Sequence, residues 1–195
     1  MELYLVRHPE TAAPKGTCYG RVNFPLLEPA ENTAKRTILN LPPNFDHLIS
    51  SPAMRAYSLA EELLKHYNLN PIRNAIPTDH RILEMDFGDW DGKLWEELPK
   101  RQTMVWMKDF VNQRAPNGEA FTDVIKRTKD FLEDWKPNGK LKMDWEAQNN
   151  RNLEKLIVVC HSGSIRALLC QIHNIDFKDA FQTKIDFGSV QKIRL

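Results

Sequence analysis

A chain of 195 residues with 42% hydrophobic and 27% charged side chains is too apolar for a disordered protein and too mixed for a coiled coil. A length of this order fits one domain over residues 1–195, able to bury roughly 70% of its unfolded surface without a disulfide or metal staple. Twenty-seven Lys and Arg against 26 Asp and Glu leave a formal charge of +1, so no bulk field draws the chain to nucleic acid or to a membrane.

The N-terminal apolar run is too short for a signal-peptide core, and no apolar run approaches the ~20 residues of a membrane span. Cys18, Cys160 and Cys170 form no CxxC pair. They read as reduced thiols of a cytoplasmic protein.

Leu3-Tyr4-Leu5-Val6 predicts a buried strand ending at Arg7-His8. Residues 9–30, rich in Pro and Gly, predict a long loop of the kind that is usually functional. Residues 31–41 predict a helix, and His47-Leu48-Ile49 a second strand. Ser51-Pro52 fits a helix N-cap followed by proline at the first helical position. The helix behind it runs to about His66 on an apolar face of Ala56, Leu59, Ala60, Leu63 and Leu64.

A third strand is expected near 72–76, then an extended segment from Arg81 to Glu84 and a turn-rich stretch, Phe87 to Gly92. Residues 94–113 and 119–135 alternate apolar and charged positions at helical spacing. Residues 137–153 are polar and predict a surface excursion. Leu156-Ile157-Val158-Val159 is the strongest buried-strand signal, ending at His161-Ser162-Gly163 and followed by a helix through Ile172. Val190 to Ile193 predicts a last strand. Strands alternating with helices imply an α/β fold of three layers, with a mostly parallel central sheet covered on both faces.

The chemistry is positional. Arg7 and His8 follow one strand, His161 follows another, Arg55 sits one turn into the helix after a third, and Glu84 ends a fourth extended segment. In open α/β sheets the site lies beyond the carboxyl ends of the strands. Two arginines, two histidines and a carboxylate meeting there describe an anion site with both a nucleophile and an acid. Each residue alone has a structural reading: a satisfied histidine, a surface arginine, a solvated glutamate. Four separate segment ends carrying reactive groups argue for the joint one.

These residues carry a resemblance. Arg7-His8-Pro9-Glu10-Thr11 resembles the Arg-His-Gly signature of the histidine phosphatase superfamily, also called phosphoglycerate mutase-like. Cys18-Tyr19-Gly20-Arg21 resembles its substrate loop, Ser50 to Ala56 its second-arginine motif, and Leu83 to Gly92 its acid motif. Pro116 to Phe121 resembles its Gly-Glu segment and Val159 to Gly163 its second-histidine motif. The resemblance spans the whole chain, as a single histidine phosphatase domain. Within the family, Cys-Tyr-Gly-Arg and Phe-Gly-Asp-Trp are most similar to α-ribazole phosphatases of cobalamin synthesis.

The resemblance implies a phosphomonoesterase without cofactor or metal, acting on a small phosphorylated metabolite. It implies His8 as nucleophile, Arg7 and Arg55 as the phosphoryl clamp, His161 as a further donor if it is cationic, and Glu84 as acid and then base. Thr11, Tyr19, Gly20, Arg21 and Ser162 would contact substrate. Chemically, fixed guanidinium forks suit phosphoryl oxygens, and a neutral imidazole can hold the phosphoryl group covalently. Pro9 stands where the family usually has Gly, removing a backbone N–H beside the nucleophile. Ala12-Ala13-Pro14 stands where mutases usually carry an Asn, which favours a phosphatase.

Other readings stay open. Cys160-His161-Ser162-Gly163-Ser164-Ile165-Arg166 fits Cys-x2-Gly-x2-Arg, the loop of cysteine-dependent phosphatases, although it would leave Arg7, His8, Arg55 and Glu84 idle. Otherwise Arg166 is a helix surface charge. A broad-specificity sugar or nucleotide phosphatase, or a catalytically weak phosphate-binding module, also fits. His47, His66, His80 and His173 lack metal-ligand spacing. The five tryptophans read as core or lid packing, with a ligand role open only to Trp90 or Trp95. Nothing in the sequence sets an oligomeric state.

Overall fold

In a computed structural model describing residues 1–69 and 76–195, the strands are β1 (Glu2–Arg7), β2 (Thr17–Cys18), β3 (His47–Ser50), β4 (Lys93–Leu94), β5 (Lys155–Cys160) and β6 (Val190–Arg194). The helices are α1 (Ala30–Thr37), α2 (Met54–His66), α3 (Lys100–Lys108), α4 (Phe121–Trp135), α5 (Lys140–Asn149) and α6 (Ser162–His173). The central sheet has the order β3-β5-β1-β6, parallel except for β6, and β2 pairs with β4 in a separate ribbon.

The apolar runs of β1 and β5 are buried on both faces, and their period-two alternation sorts them between two helical layers. Leu3, Leu5, Leu156 and Val158 face Phe131 and Trp135 of α4 and Ile165 and Leu168 of α6. Tyr4, Val6, Ile157 and Val159 face Ala34 of α1 and Leu59 and Leu63 of α2. Helix, sheet and helix therefore form the three layers expected. A third cluster, including Trp90, Val111, Phe121 and Ala167, lies under the loops at the carboxyl end of the sheet.

Register brings the chemistry together. Arg7 pairs with Cys160 and Ser50 with Val159, so His8, His161 and Ser51 emerge side by side beyond the strand ends.

Several elements differ from expectation. α2 begins at Met54 with Ala53 at its N-cap; the Ser51 hydroxyl accepts from the Ala53 N–H just ahead of the helix and also meets His161. Arg81 to Glu84 is not a strand: residues 80–82 form a 3-10 turn, capped by the Asp79 carboxylate on the Arg81 N–H. The helix expected over 94–113 is confined to α3, since Pro99 lacks the N–H to continue a helix backward and residues 95–97 turn before it. Residues 38–40 tighten into a 3-10 turn after α1. The strand expected near 72–76 falls almost entirely on residues 70–75, outside those described; Thr78 makes an isolated parallel bridge to Ser50. The polar stretch 137–153 holds α5, whose Leu141 and Trp145 pack on the core. Asn150 and Asn174 end α5 and α6 in the left-handed conformation that asparagine tolerates. Among the described residues no helix is long and apolar enough to cross a membrane.

Candidate active site

The site is built outward from His8. His8 is 3% exposed, and its Nδ1 lies 2.6 Å from the Pro9 carbonyl oxygen. A carbonyl only accepts, so Nδ1 carries the proton and Nε2 keeps a lone pair. The Arg55 Nε–H donates to that Nε2 at 3.3 Å, in agreement. Burial first, then the Arg55 and Arg7 charges, hold His8 well below the ordinary histidine pKa. A neutral, oriented imidazole results. The interaction required of residue 9 is a carbonyl, which proline retains.

Arg55, in the first turn of α2 and 2% exposed, also donates to the carbonyls of Gly20 at 2.6 Å and Val22 at 3.3 Å. Arg7 donates to the Ile185 carbonyl and lies 3.7 Å from the centre of the Phe187 ring. Two cations are thus fixed in place by carbonyls and rings, with no ion pair to a carboxylate among the described residues, which leaves charge for an anion.

His161 is fully buried at the N-cap of α6, its ring 5.0 Å from that of His8. Burial first, then the neighbouring charges, push its pKa well down, which favours the neutral imidazole over the cation. Its Nε2 meets the Ser51 hydroxyl at 2.7 Å, and its Nδ1 has no partner among the described residues.

Glu84 follows the 3-10 turn in a loop fixed by Arg127 of α4, which donates to the carbonyls of Arg81, Leu83 and Glu84. The Gly163 N–H at the start of α6 donates to both Glu84 oxygens at 3.1 Å, the Met85 N–H to Oε1 and the Ser162 hydroxyl to Oε2.

A cavity of about 240 Å³ opens beside these groups, lined by Arg7, His8, Arg55, Glu84, Ser162 and Tyr19 among others. His161 is not among the lining residues. Of the remaining expected substrate contacts, Thr11 donates to the Tyr19 hydroxyl at 2.9 Å, and Gly20 supplies the carbonyl for Arg55. The Arg21 side chain turns to Glu119; it does not line the cavity. Gly20 is required by crowding, since a Cβ there would stand 1.7 Å from the Met85 carbonyl oxygen.

Sequence reasoning missed three features. Asp91 holds the loop at residues 20–22 by accepting from the N–H groups of Gly20, Arg21 and Val22. The cavity wall is aromatic well beyond Trp95, the one tryptophan candidate that lines it (Trp90 is in the core): Phe87, Trp106, Phe110, Phe181 and Phe187 join it. Arg166 lines the same wall, 4.8 Å from the Phe181 ring centre. Cys160, by contrast, is fully buried in the core and burial raises its thiol pKa, so the cysteine-phosphatase reading lacks a thiolate. Among the described residues no cluster of His, Cys, Asp or Glu could hold a metal ion.

The profile of the histidine phosphatase superfamily (branch 1) matches residues 3–195. The chain belongs to that superfamily. Phosphoserine phosphatase 1 of Hydrogenobacter thermophilus is 28% identical over all of this chain and 87% of its own length. Among solved structures, the α-ribazole phosphatase of Shigella flexneri superposes with a TM-score of 0.81 at 23% identity, covering all of this chain and 91% of that one. A phosphoglycerate mutase of Thermus thermophilus superposes with a TM-score of 0.70 at 25% identity, covering 99% and 92%. This histidine phosphatase is a phosphomonoesterase with the three-layer fold of those neighbours, and its substrate is a phosphorylated small molecule.

Proposed function

We propose that this phosphatase works through a phosphohistidine at His8 and that its substrate is α-ribazole 5′-phosphate, a step in making the nucleotide loop of cobalamin. In the first half-reaction His8 Nε2 attacks phosphorus in line, the P–O bond to the alcohol breaks, and Glu84 delivers a proton to the departing oxygen. In the second, Glu84 takes a proton from water as it attacks phosphorus and frees His8 as inorganic phosphate forms. Arg7 and Arg55 hold the phosphoryl oxygens throughout. Arg55 Nε must exchange its bond to His8 Nε2 for one to a phosphoryl oxygen before attack.

One observation carries the substrate: the wall facing the leaving group is aromatic, with Phe87, Trp95 and Trp106 packed edge to face or tilted at 5.7–6.2 Å. Such a wall suits a flat apolar heterocycle such as dimethylbenzimidazole, and the superposition on an α-ribazole phosphatase is consistent with it.

A second reading has an observation of its own. The Arg166 Nε is buried without a hydrogen-bond partner, and Arg166 forms no ion pair among the described residues, which suits a carboxylate-bearing leaving group such as that of phosphoserine. The full-length relative named a phosphoserine phosphatase points the same way.

The test is kcat/KM for α-ribazole 5′-phosphate, phosphoserine, AMP, 3-phosphoglycerate, a fructose bisphosphate and an aryl phosphate. A lead of ~100-fold for α-ribazole 5′-phosphate, or about 2.7 kcal/mol of transition-state binding, supports the first reading. Phosphoserine leading supports the second, and a flat profile a broad-specificity phosphatase. No turnover of any would leave a phosphate-binding module.

A further inference from the structure

Ser51 follows β3 into the crevice, and its backbone N–H is tied to the Val159 carbonyl at 2.8 Å. It is fully buried, as is His161. Its hydroxyl has one proton and two lone pairs. The Ala53 N–H donates to one lone pair at 3.3 Å. The hydroxyl's other hydrogen-bond partner among the described residues is His161 Nε2, at 2.7 Å. With Nε2 accepting the Ser51 proton, the imidazole proton sits on Nδ1; the reverse arrangement leaves the hydroxyl proton without an acceptor among the described residues. That Nδ1 is buried and unpartnered among the described residues, on a ring 5.0 Å from the nucleophilic histidine. A buried N–H left without an acceptor is costly unless a ligand supplies one.

We infer that Ser51 is a positioning residue: it fixes His161 as the Nδ1–H tautomer and aims that N–H at the phosphoryl group held on His8. Burial opposes a charged imidazole here, so without a fixed tautomer His161 would spend part of its time presenting a lone pair to a phosphoryl oxygen, which repels it. The serine thus converts a neutral histidine into a dependable donor. The value of this donor to catalysis rests on the phosphohistidine reading, whereas the tautomer itself can be measured without substrate.

The experiment is ¹⁵N NMR of the side-chain imidazoles, with the His161 signals identified by their loss in His161→Gln. Nδ1–H in the wild type is expected; Nε2–H would overturn the proposal. In kinetics, Ser51→Ala should lower kcat by ~10–100-fold with KM changed by less than about 3-fold. Ser51→Thr, which keeps the hydroxyl, should recover most of that loss. In the His161→Gln background, Ser51→Ala should cost less than about 2-fold more, because the two residues act as one unit. Independent, multiplying losses would overturn the inference, as would a folded Ser51→Ala protein with unchanged kcat. If His161→Gln itself leaves turnover intact while the tautomer is Nδ1–H, the mechanism fails and the positioning stands.

Discussion

The Gly163 N–H bridges both carboxylate oxygens of Glu84, and a Cβ at position 163 would stand 2.2 Å from Oε1. Glycine is needed here for close approach rather than for backbone freedom, since the residue lies in the first turn of α6. The crowded atom is the end of a flexible side chain. Gly163→Ala should therefore displace the carboxylate without unfolding the helix. The expected outcome is a loss of ~10–100-fold in kcat for alkyl phosphates, a much smaller loss for nitrophenyl phosphate, and a nearly unchanged melting temperature. Glu84→Gln should show the same dependence on leaving group more strongly, because nitrophenolate departs without a proton. Equal losses on both substrates in both variants would mean that Glu84 is not the acid.

His8 and Cys160 make opposite predictions for the covalent intermediate. Brief reaction with a labelled phosphoester, followed by quenching, should trap an acid-labile, base-stable phosphoenzyme that His8→Ala abolishes. Cys160→Ser should still form it at near wild-type yield, since this side chain only fills the core. Loss of the intermediate in Cys160→Ser but not in His8→Ala would reverse the assignment. Chelator should leave the rate unchanged, because the two guanidiniums occupy the place a divalent cation would take on the phosphoryl oxygens, whereas vanadate should inhibit.

What was legible in the sequence was local. The apolar runs of β1 and β5 end at Arg7 and Cys160, so the positions of His8 and His161 follow from strand boundaries alone. The aromatic wall was not legible, because Phe87, Trp106 and Phe181 come from separate segments and meet only when the loops close over the third core cluster. Arg166 was hidden by a sound rule. The apolar stripe of Ile165, Leu168 and Leu169 leaves it on the flank of α6, about 100° round the helix from Ile165, and a face outside the apolar stripe is usually wet. Here the first turns of α6 border the crevice, so that face is cavity wall. Ser51 was half-read for a related reason: a serine before a proline offers an N-cap, and its hydroxyl does accept from the Ala53 N–H, but it also meets a buried histidine from a distant strand end.

His47 shows how burial couples to pH. It lies between Trp135 and Trp145, at 5.5 and 5.7 Å from their rings, and burial lowers its pKa from 6.5 to about 4. The folded state therefore keeps His47 neutral where the unfolded chain already binds a proton. Stability contributed by this residue is fully present above pH 6.5 and declines as pH falls toward 4. His8 and His161, also depressed, add to the decline. Unfolding free energy measured by denaturant at several pH values between 7 and 4 should fall steadily for the wild type. His47→Gln should flatten that slope by up to about 1.4 kcal/mol per pH unit, the limit for one proton. Parallel curves for the two proteins would show that His47 does not titrate with unfolding.

Arg166 distinguishes the two substrate readings. It shares the cavity with Arg7 and Glu84, burial lowers its pKa while the Glu84 charge raises it, and it has no carboxylate partner within 4 Å among the described residues. Its neighbour on the wall is the face of Phe181. A leaving group with a carboxylate would complete a charge-assisted pair there, an interaction of roughly 1.5–3 kcal/mol, whereas a neutral ribose and heterocycle would gain far less. Arg166→Gln should therefore cost ~10–100-fold in kcat/KM for phosphoserine and only a few-fold for α-ribazole 5′-phosphate or nitrophenyl phosphate. Phe181→Ala and Trp106→Ala should show the reverse bias, removing aromatic contact from the heterocycle and sparing the amino acid ester. The pair of ratios is what decides, since each variant acts as the other's control for general damage. A uniform loss across all three substrates in Arg166→Gln would place this guanidinium with the phosphoryl clamp instead, as a third cation beside Arg7 and Arg55.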